Sequence, residues 1–217
     1  AHEEEIILPG GPRASRALPI AVYLTGLPEF ADMAGARTGA TFARRFRTTI
    51  LEPISDNDLL AALHPFVTEG WQVPGGERVY MEASAQRAIV ELSRGEPFLF
   101  QLAGERAWYA GTNDLITAEQ VASGWRGAVH EAETHVQRIL ERLPAREREF
   151  LEAMAQLPPS ERTLTNIARA LDYHRASDAG PTAQRLDLIR RVIRRGRPHY
   201  TFRNRAVGAY LESDWPE

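Results

Sequence analysis

Gly95-Glu96-Pro97-Phe98-Leu99-Phe100-Gln101-Leu102-Ala103-Gly104-Glu105-Arg106-Ala107-Trp108 is the stretch that decides the architecture. Pro97 suits the first position of a helix, where its missing N–H costs nothing. Gly95 ends a preceding helix, Glu82 to Arg94, as a C-terminal glycine does. Behind Pro97, the residues Phe98, Leu99, Phe100, Leu102, Ala103, Ala107, Trp108 and Tyr109 leave only a thin polar line at Gln101 and Glu105. A surface helix carries a single apolar stripe, so this one is expected to be covered on several faces. It is the hub of a helical bundle.

Working outward, the chain turns helical at Ser55. That residue can cap a helix with Asp58 three positions on, and Leu59, Leu60, Leu63, Phe66 and Val67 follow at helical spacing, with Pro65 kinking or splitting the run. Val73-Pro74-Gly75-Gly76 is a loop. Thr117 caps one long helix expected to run to about Leu143, with Val121, Trp125, Val129, Val136 and Leu140 inward. The last third opens with a helix after Pro144 that faces Phe150, Leu151, Met154 and Leu157 to one side. A short helix carries Leu164, Ile167, Ala168 and Leu171. A third, from Pro181 to about Val192, turns Leu186, Leu188 and Ile189 inward. Ile193 to Phe202 reads as a β-hairpin with a basic tip. Helix, helix, turn, helix, hairpin is the order of a winged helix-turn-helix.

Before Ser55 the pattern is different. Glu5-Ile6-Ile7-Leu8 is a short strand broken by Pro9-Gly10-Gly11-Pro12, and Leu18 to Leu24 is a continuous apolar run of the kind buried in parallel sheets. A further strand is expected at Thr48 to Leu51, with a helical turn over Ala40 to Phe46. Two strands do not make a stable α/β sheet, so this front end is expected to be part of a larger one. The expected organisation is mainly α with small α/β and β parts: 1–55 a partial α/β core, 56–143 a helical lid, and 144–217 a winged helix domain.

Composition narrows the chemistry. The 217 residues are 43% hydrophobic and 25% charged, as in ordinary globular chains. No apolar run reaches the roughly 18 residues of a membrane helix, and Ala1-His2-Glu3-Glu4-Glu5 is acidic where a signal peptide is basic. A cytoplasmic protein without a membrane partner is expected. There is no cysteine, hence no disulfide, thiolate metal site or cysteine nucleophile. All 26 basic residues are arginine. Without lysine the chain has no P-loop of its own and no Schiff-base chemistry. His130 and His135, five apart on a helix, do not share a face. Trp71, Trp108, Trp125 and Trp215 are expected to be packing residues.

Four pieces of the chain together carry a resemblance. They are Leu18-Pro19-Ile20 through Gly26-Leu27-Pro28; Leu63-His64-Pro65 inside a helix opened by Pro53-Ile54-Ser55-Asp56; Gly95-Glu96-Pro97-Phe98; and Tyr200-Thr201-Phe202-Arg203-Asn204 followed by Tyr210-Leu211. Their order over residues 18–212 resembles the C-terminal portion of STAND/AAA+-type P-loop ATPases, and is most similar to ATPases related to bacterial and archaeal origin-recognition proteins. The pieces would be the sensor-1 strand, the kinked first lid helix, the lid's Gly-x-Pro motif, and the wing strand with its closing helix. The departures are equally specific. Walker A and Walker B have no counterpart, and Phe98 stands where relatives with a sensor-2 arginine carry it. An apolar residue there fits the STAND branch, a regulatory switch rather than a fast motor.

The resemblance implies an intact parent that binds ATP or ADP with Mg between core and lid, and whose N-terminal ATPase core is the first partner of this chain. It places Thr25 at sensor 1, Arg44 and Arg45 (with Arg47 beside them) near an arginine finger, and Pro97 at the nucleotide-sensing lid motif. For this chain alone it implies no catalysis and no bound cofactor.

The sharpest chemical signal is basic. Arg185, Arg190, Arg191, Arg194, Arg195, Arg197, Arg203 and Arg205 stand against one acid, Asp187, between positions 185 and 205. Arginine suits bidentate contact with phosphate or guanine, and neutralising about five phosphates gives a salt slope near −4 to −5. The same arginines could instead pair with acids of the lid, among which Glu131, Glu133 and Glu141 are available, with the missing core, or with a protein. Double-stranded DNA, protein docking and intramolecular pairing all remain open on sequence grounds. The overall charge of −3 makes any nucleic-acid binding local.

Overall fold

The computed structural model describes residues 3–7, 13–17, 52–196 and 198–215. The chain divides into two compact units, Ala1–Phe46 and Arg47–Glu217. In the first, β1 (Glu3–Ile7) pairs antiparallel with β2 (Arg13–Ala17), Glu3 opposite Ala17 and Ile7 opposite Arg13. The breaker Pro9-Gly10-Gly11-Pro12 falls between them in sequence, and β2 is a strand that apolar patterning did not reveal. The expected strands at Leu18–Leu24 and Thr48–Leu51, the turn over Ala40–Phe46, and the residues Thr25, Arg44 and Arg45 lie outside the described residues.

The second unit is mainly helical. It begins with α1 (Asp56–Thr68), capped by Ser55, whose Oγ accepts from the Asp58 N–H at 3.2 Å. Pro65 does not split α1; its carbonyl accepts from the N–H groups of Glu69 and Gly70 and so closes the helix one turn later. The loop expected at Val73–Gly76 is the turn of a small sheet, whose flanking strands the sequence pattern did not reveal. β3 (Trp71–Gln72) pairs antiparallel with β4 (Arg78–Met81), and β4 pairs parallel with β5 (Leu115–Ile116). Strands of two and four residues are too short to display alternation.

Next come α2 (Ala83–Ser93) and the hub helix α3 (Pro97–Ala110), which starts at Pro97. Leu99, Leu102, Ala103 and Ala107 are buried, while Phe98, Phe100 and Trp108 are partly so. Tyr109, expected under cover, is 75% exposed. The polar side is therefore wider than its sequence suggests. The expected long helix from Thr117 is two helices, α4 (Ala118–Arg126) and α5 (Val129–Glu141). Thr117 and Gln120 form a reciprocal capping box at its start. Gly127 ends α4, and the fully buried Ala128 turns the chain into α5. Gly124 lets α4 cross α3 at backbone distance, since a Cβ there would collide with the Arg106 carbonyl.

The C-terminal region runs α6 (Ala145–Ala155), a 3-10 turn at Pro159–Glu161, α7 (Leu164–Ala170) and α8 (Ala176–Leu188). The strands β6 (Ile193–Arg195) and β7 (Tyr200–Phe202) and the closing α9 (Arg205–Leu211) complete it. Phe150, Leu151, Met154, Ile167, Ala168 and Leu186 are buried as expected. The third helix starts earlier than expected, at Ala176, because Pro181 is tolerated in its second turn. Leu188, expected inward, is 61% exposed. β6 and β7 pair antiparallel, Arg194 opposite Thr201, and α9 lies on the hairpin through Gly208, which touches the Phe202 ring.

Candidate functional site: an arginine–carboxylate seam

Where α9 begins, it meets the start of the hub helix and the connection that leads into α1. Arg94 and Gly95 both adopt left-handed backbone, φ 48° and 76°, turning the chain between α2 and α3. A Cβ on Gly95 would stand 2.9 Å from Arg205 Nη2 and 2.9 Å from the Ile54 carbonyl oxygen. Only glycine admits both the conformation and the approach. Beside it, Glu96 faces His135 of α5, with Oε1 3.3 Å from Nε2, and accepts from Asn204 Nδ2 on Oε2 at 3.4 Å. The His135 ring stacks on Phe98 at 4.3 Å between centroids. Asn204 caps α9 by accepting from the Val207 N–H at 3.1 Å.

The arginine cluster is mostly paired within the chain. Arg205 grips Asp56 with both terminal nitrogens, at 2.5 and 3.0 Å, a bidentate fork. The hydrogen bond from Arg205 holds the Asp56 carboxyl below its usual range, outweighing partial burial. Glu52 takes Arg191 at 2.5 Å and Arg203 at 3.2 Å, and Arg203 also reaches Asp187 at 3.5 Å. Deeper in, Glu147 on α6 lies between Arg185 at 3.1 Å and Arg190 at 2.9 Å, both from the α8 side. Its side chain is only 4% exposed.

The acids available by sequence are not the ones used. Glu131 pairs with Arg106 at 2.8 Å, and among the described residues neither Glu133 nor Glu141 forms an ion pair with the cluster. The pairing acids are Glu52 and Asp56, far away in sequence, and the nearer Glu147, with Asp187 inside the cluster. Arg194 and Arg195 are exposed on β6 without a side-chain ion pair among the described residues. Arg197 lies outside the described residues. An open groove of about 510 Å³ runs along the seam, bordered by Glu52, Asp56, Arg194, Thr201, Arg203 and Arg205.

Of the four tryptophans, Trp125 is buried in the core, while Trp71 is 57% exposed and stacks on Phe66 at 5.5 Å. Trp71 is thus a surface residue rather than the packing residue its type suggested. Among the described residues there is no group of three or more His, Asp or Glu side chains placed to hold a metal ion. No helix among them is long and apolar enough to cross a membrane. No protein-family model, curated protein or solved structure matches this chain.

Proposed function

We propose that this chain is the regulatory and interaction portion of a STAND/AAA+-like ATP-binding protein, and is not itself catalytic. In this reading residues 1–55 belong to an α/β core, 56–143 form the lid, and 144–217 are a winged helix that docks on the lid. ATP or ADP with Mg binds in the intact parent, between its P-loop core and the lid. Thr25, Arg44, Arg45 and Pro97 serve nucleotide sensing there.

One observation carries the reading. The closing segment of the C-terminal region engages the first residues of the hub helix, with Arg205 against Gly95 and Asn204 on Glu96. The motif by which the lid would sense nucleotide and the region that would move in response are therefore in direct contact.

The same pairing weighs against a second reading, a DNA-binding regulator. The exposed side of α8, which would enter the major groove, presents Ser177, Asp178, Gln184, Arg185 and Leu188. Arg185 is engaged by Glu147. Arg194 and Arg195 are what remains to favour phosphate contact.

Titration of the chain with fluorescent ATP should give no saturable binding, and tight binding with turnover would overturn the proposal. The coding sequence preceding Ala1 should contain G-x-x-x-x-G-K-[ST]. Duplex DNA should migrate unchanged with the protein at low salt. A salt-dependent shift abolished by Arg194→Ala, Arg195→Ala and Arg197→Ala would favour the DNA regulator instead. An unshifted duplex leaves protein docking as the role of the basic hairpin.

A further inference from the structure

We infer that Glu52–Asp56 is a detachable strap that closes over the basic hairpin and is held by its two ends as one unit. The inference deepens the reading of residues 144–217 as a docked regulatory region, and rests on it for its role. Residues 52–55 form no helix or strand. A carboxylate stands at each end, Glu52 on Arg191 and Arg203, Asp56 on Arg205. Between them, the Ile54 carbonyl lies against Gly95.

Three features make the strap separable from what it covers. The side chains of Glu52 and Asp56 are 52% and 51% exposed, so their pairs are weak and sensitive to salt. The open groove between strap and hairpin means that ion pairs hold the two together at the strap's ends, while Ile54 between them packs only partly buried against the core. The hairpin and α9 also keep their own apolar underside, since Val192, Ile193, Tyr200, Ala206 and Val207 are buried. Lifting the strap therefore leaves the C-terminal region folded. It strips the carboxylates of Glu52 and Asp56 from Arg191, Arg203 and Arg205, two of which share the groove with the unpaired Arg194. The hairpin face then changes from largely neutralised to cationic. Arg191, which holds left-handed backbone at φ 56°, gives up its carboxylate partner.

The test is hydrogen exchange on the whole chain with one end of the strap cut at a time. Asp56→Asn removes the Arg205 fork. The expected result is exchange faster by roughly two- to fivefold at the far end, in the amides of Val192 and Arg203, which bond the Leu186 and Val192 carbonyls. Glu52→Gln should reciprocally speed the amides of Glu96, Val207 and Gly208. Glu131→Gln, which breaks the Arg106 pair elsewhere, should change none of these. Faster exchange confined to the end that was cut overturns the inference, because the pairs are then independent. Faster exchange throughout the α3 core also overturns it, because the strap is then part of the global fold. Neither result depends on nucleotide, so the strap and the ATPase reading stand or fall separately.

Discussion

The guanidinium of Arg205 lies against the backbone of Gly95, closer than any side chain at position 95 would permit. Both neighbours of that glycine are tied to one stretch: Arg205 reaches it through its fork on Asp56, and the Ile54 carbonyl comes from the backbone that enters α1.

Gly95→Ala should therefore destabilise the chain by about 1–3 kcal/mol, from positive-φ strain together with displacement of Arg205. Urea unfolding measures the loss. Adding Arg205→Ala to Gly95→Ala should cost less than the sum of the two single changes, because the clash with the guanidinium is then gone and only that with the Ile54 carbonyl remains.

Glu147→Gln should be more damaging than any surface charge change. The carboxylate is buried between two arginines, and removing one charge from such a site leaves the remainder poorly compensated. A loss of roughly 2–4 kcal/mol is expected. Glu131→Gln, at an exposed pair, should cost under about 1 kcal/mol. Thermal unfolding of both variants makes the comparison.

Asp56 and Tyr200 both contribute to the pH response. The folded-state pKa of Asp56 is lowered, first by the hydrogen bond from Arg205. Its contribution is present above the unfolded carboxylate value, about 4, and disappears as pH falls through the lower folded value. Asp56→Asn should flatten that part of the acid limb. Burial raises the folded-state pKa of Tyr200. Its contribution is complete below the unfolded value of about 10 and is lost as pH rises through the higher folded one. Tyr200→Phe should remove this portion of the alkaline loss, read as Tm against pH.

The tryptophans should separate sharply. Trp125→Ala empties a core site and should cost about 3–5 kcal/mol. Trp71→Ala removes a half-exposed ring stacked on Phe66, at roughly 1 kcal/mol.

What could be read from the sequence was local. Ser55, Thr117 and Pro97 announced helix starts through chemistry confined to one turn, and the third helix and hairpin followed from short-range periodicity and turn residues. The break at Gly127–Ala128 was hidden because the apolar spacing continues across it in nearly the same phase. The β3–β4–β5 sheet was hidden because its strands are too short to show a period. The site was the least legible part. The arginine cluster stood out by composition, but its partner Glu52 lies 139 residues from Arg191. No pattern along the chain distinguishes Glu52 and Asp56 from Glu131 or Glu133; only the meeting of the start of α9 with the start of the hub does.

The crossing at Gly124 has a mechanical consequence. At that point, with backbone against backbone and no side chain between, α3 and α4 have no rotamers to exchange and hence no second local spacing to settle into. That crossing behaves as a rivet. Where this chain yields, it does so along seams filled by long charged side chains, whose many torsions let one surface slip over another without opening a void.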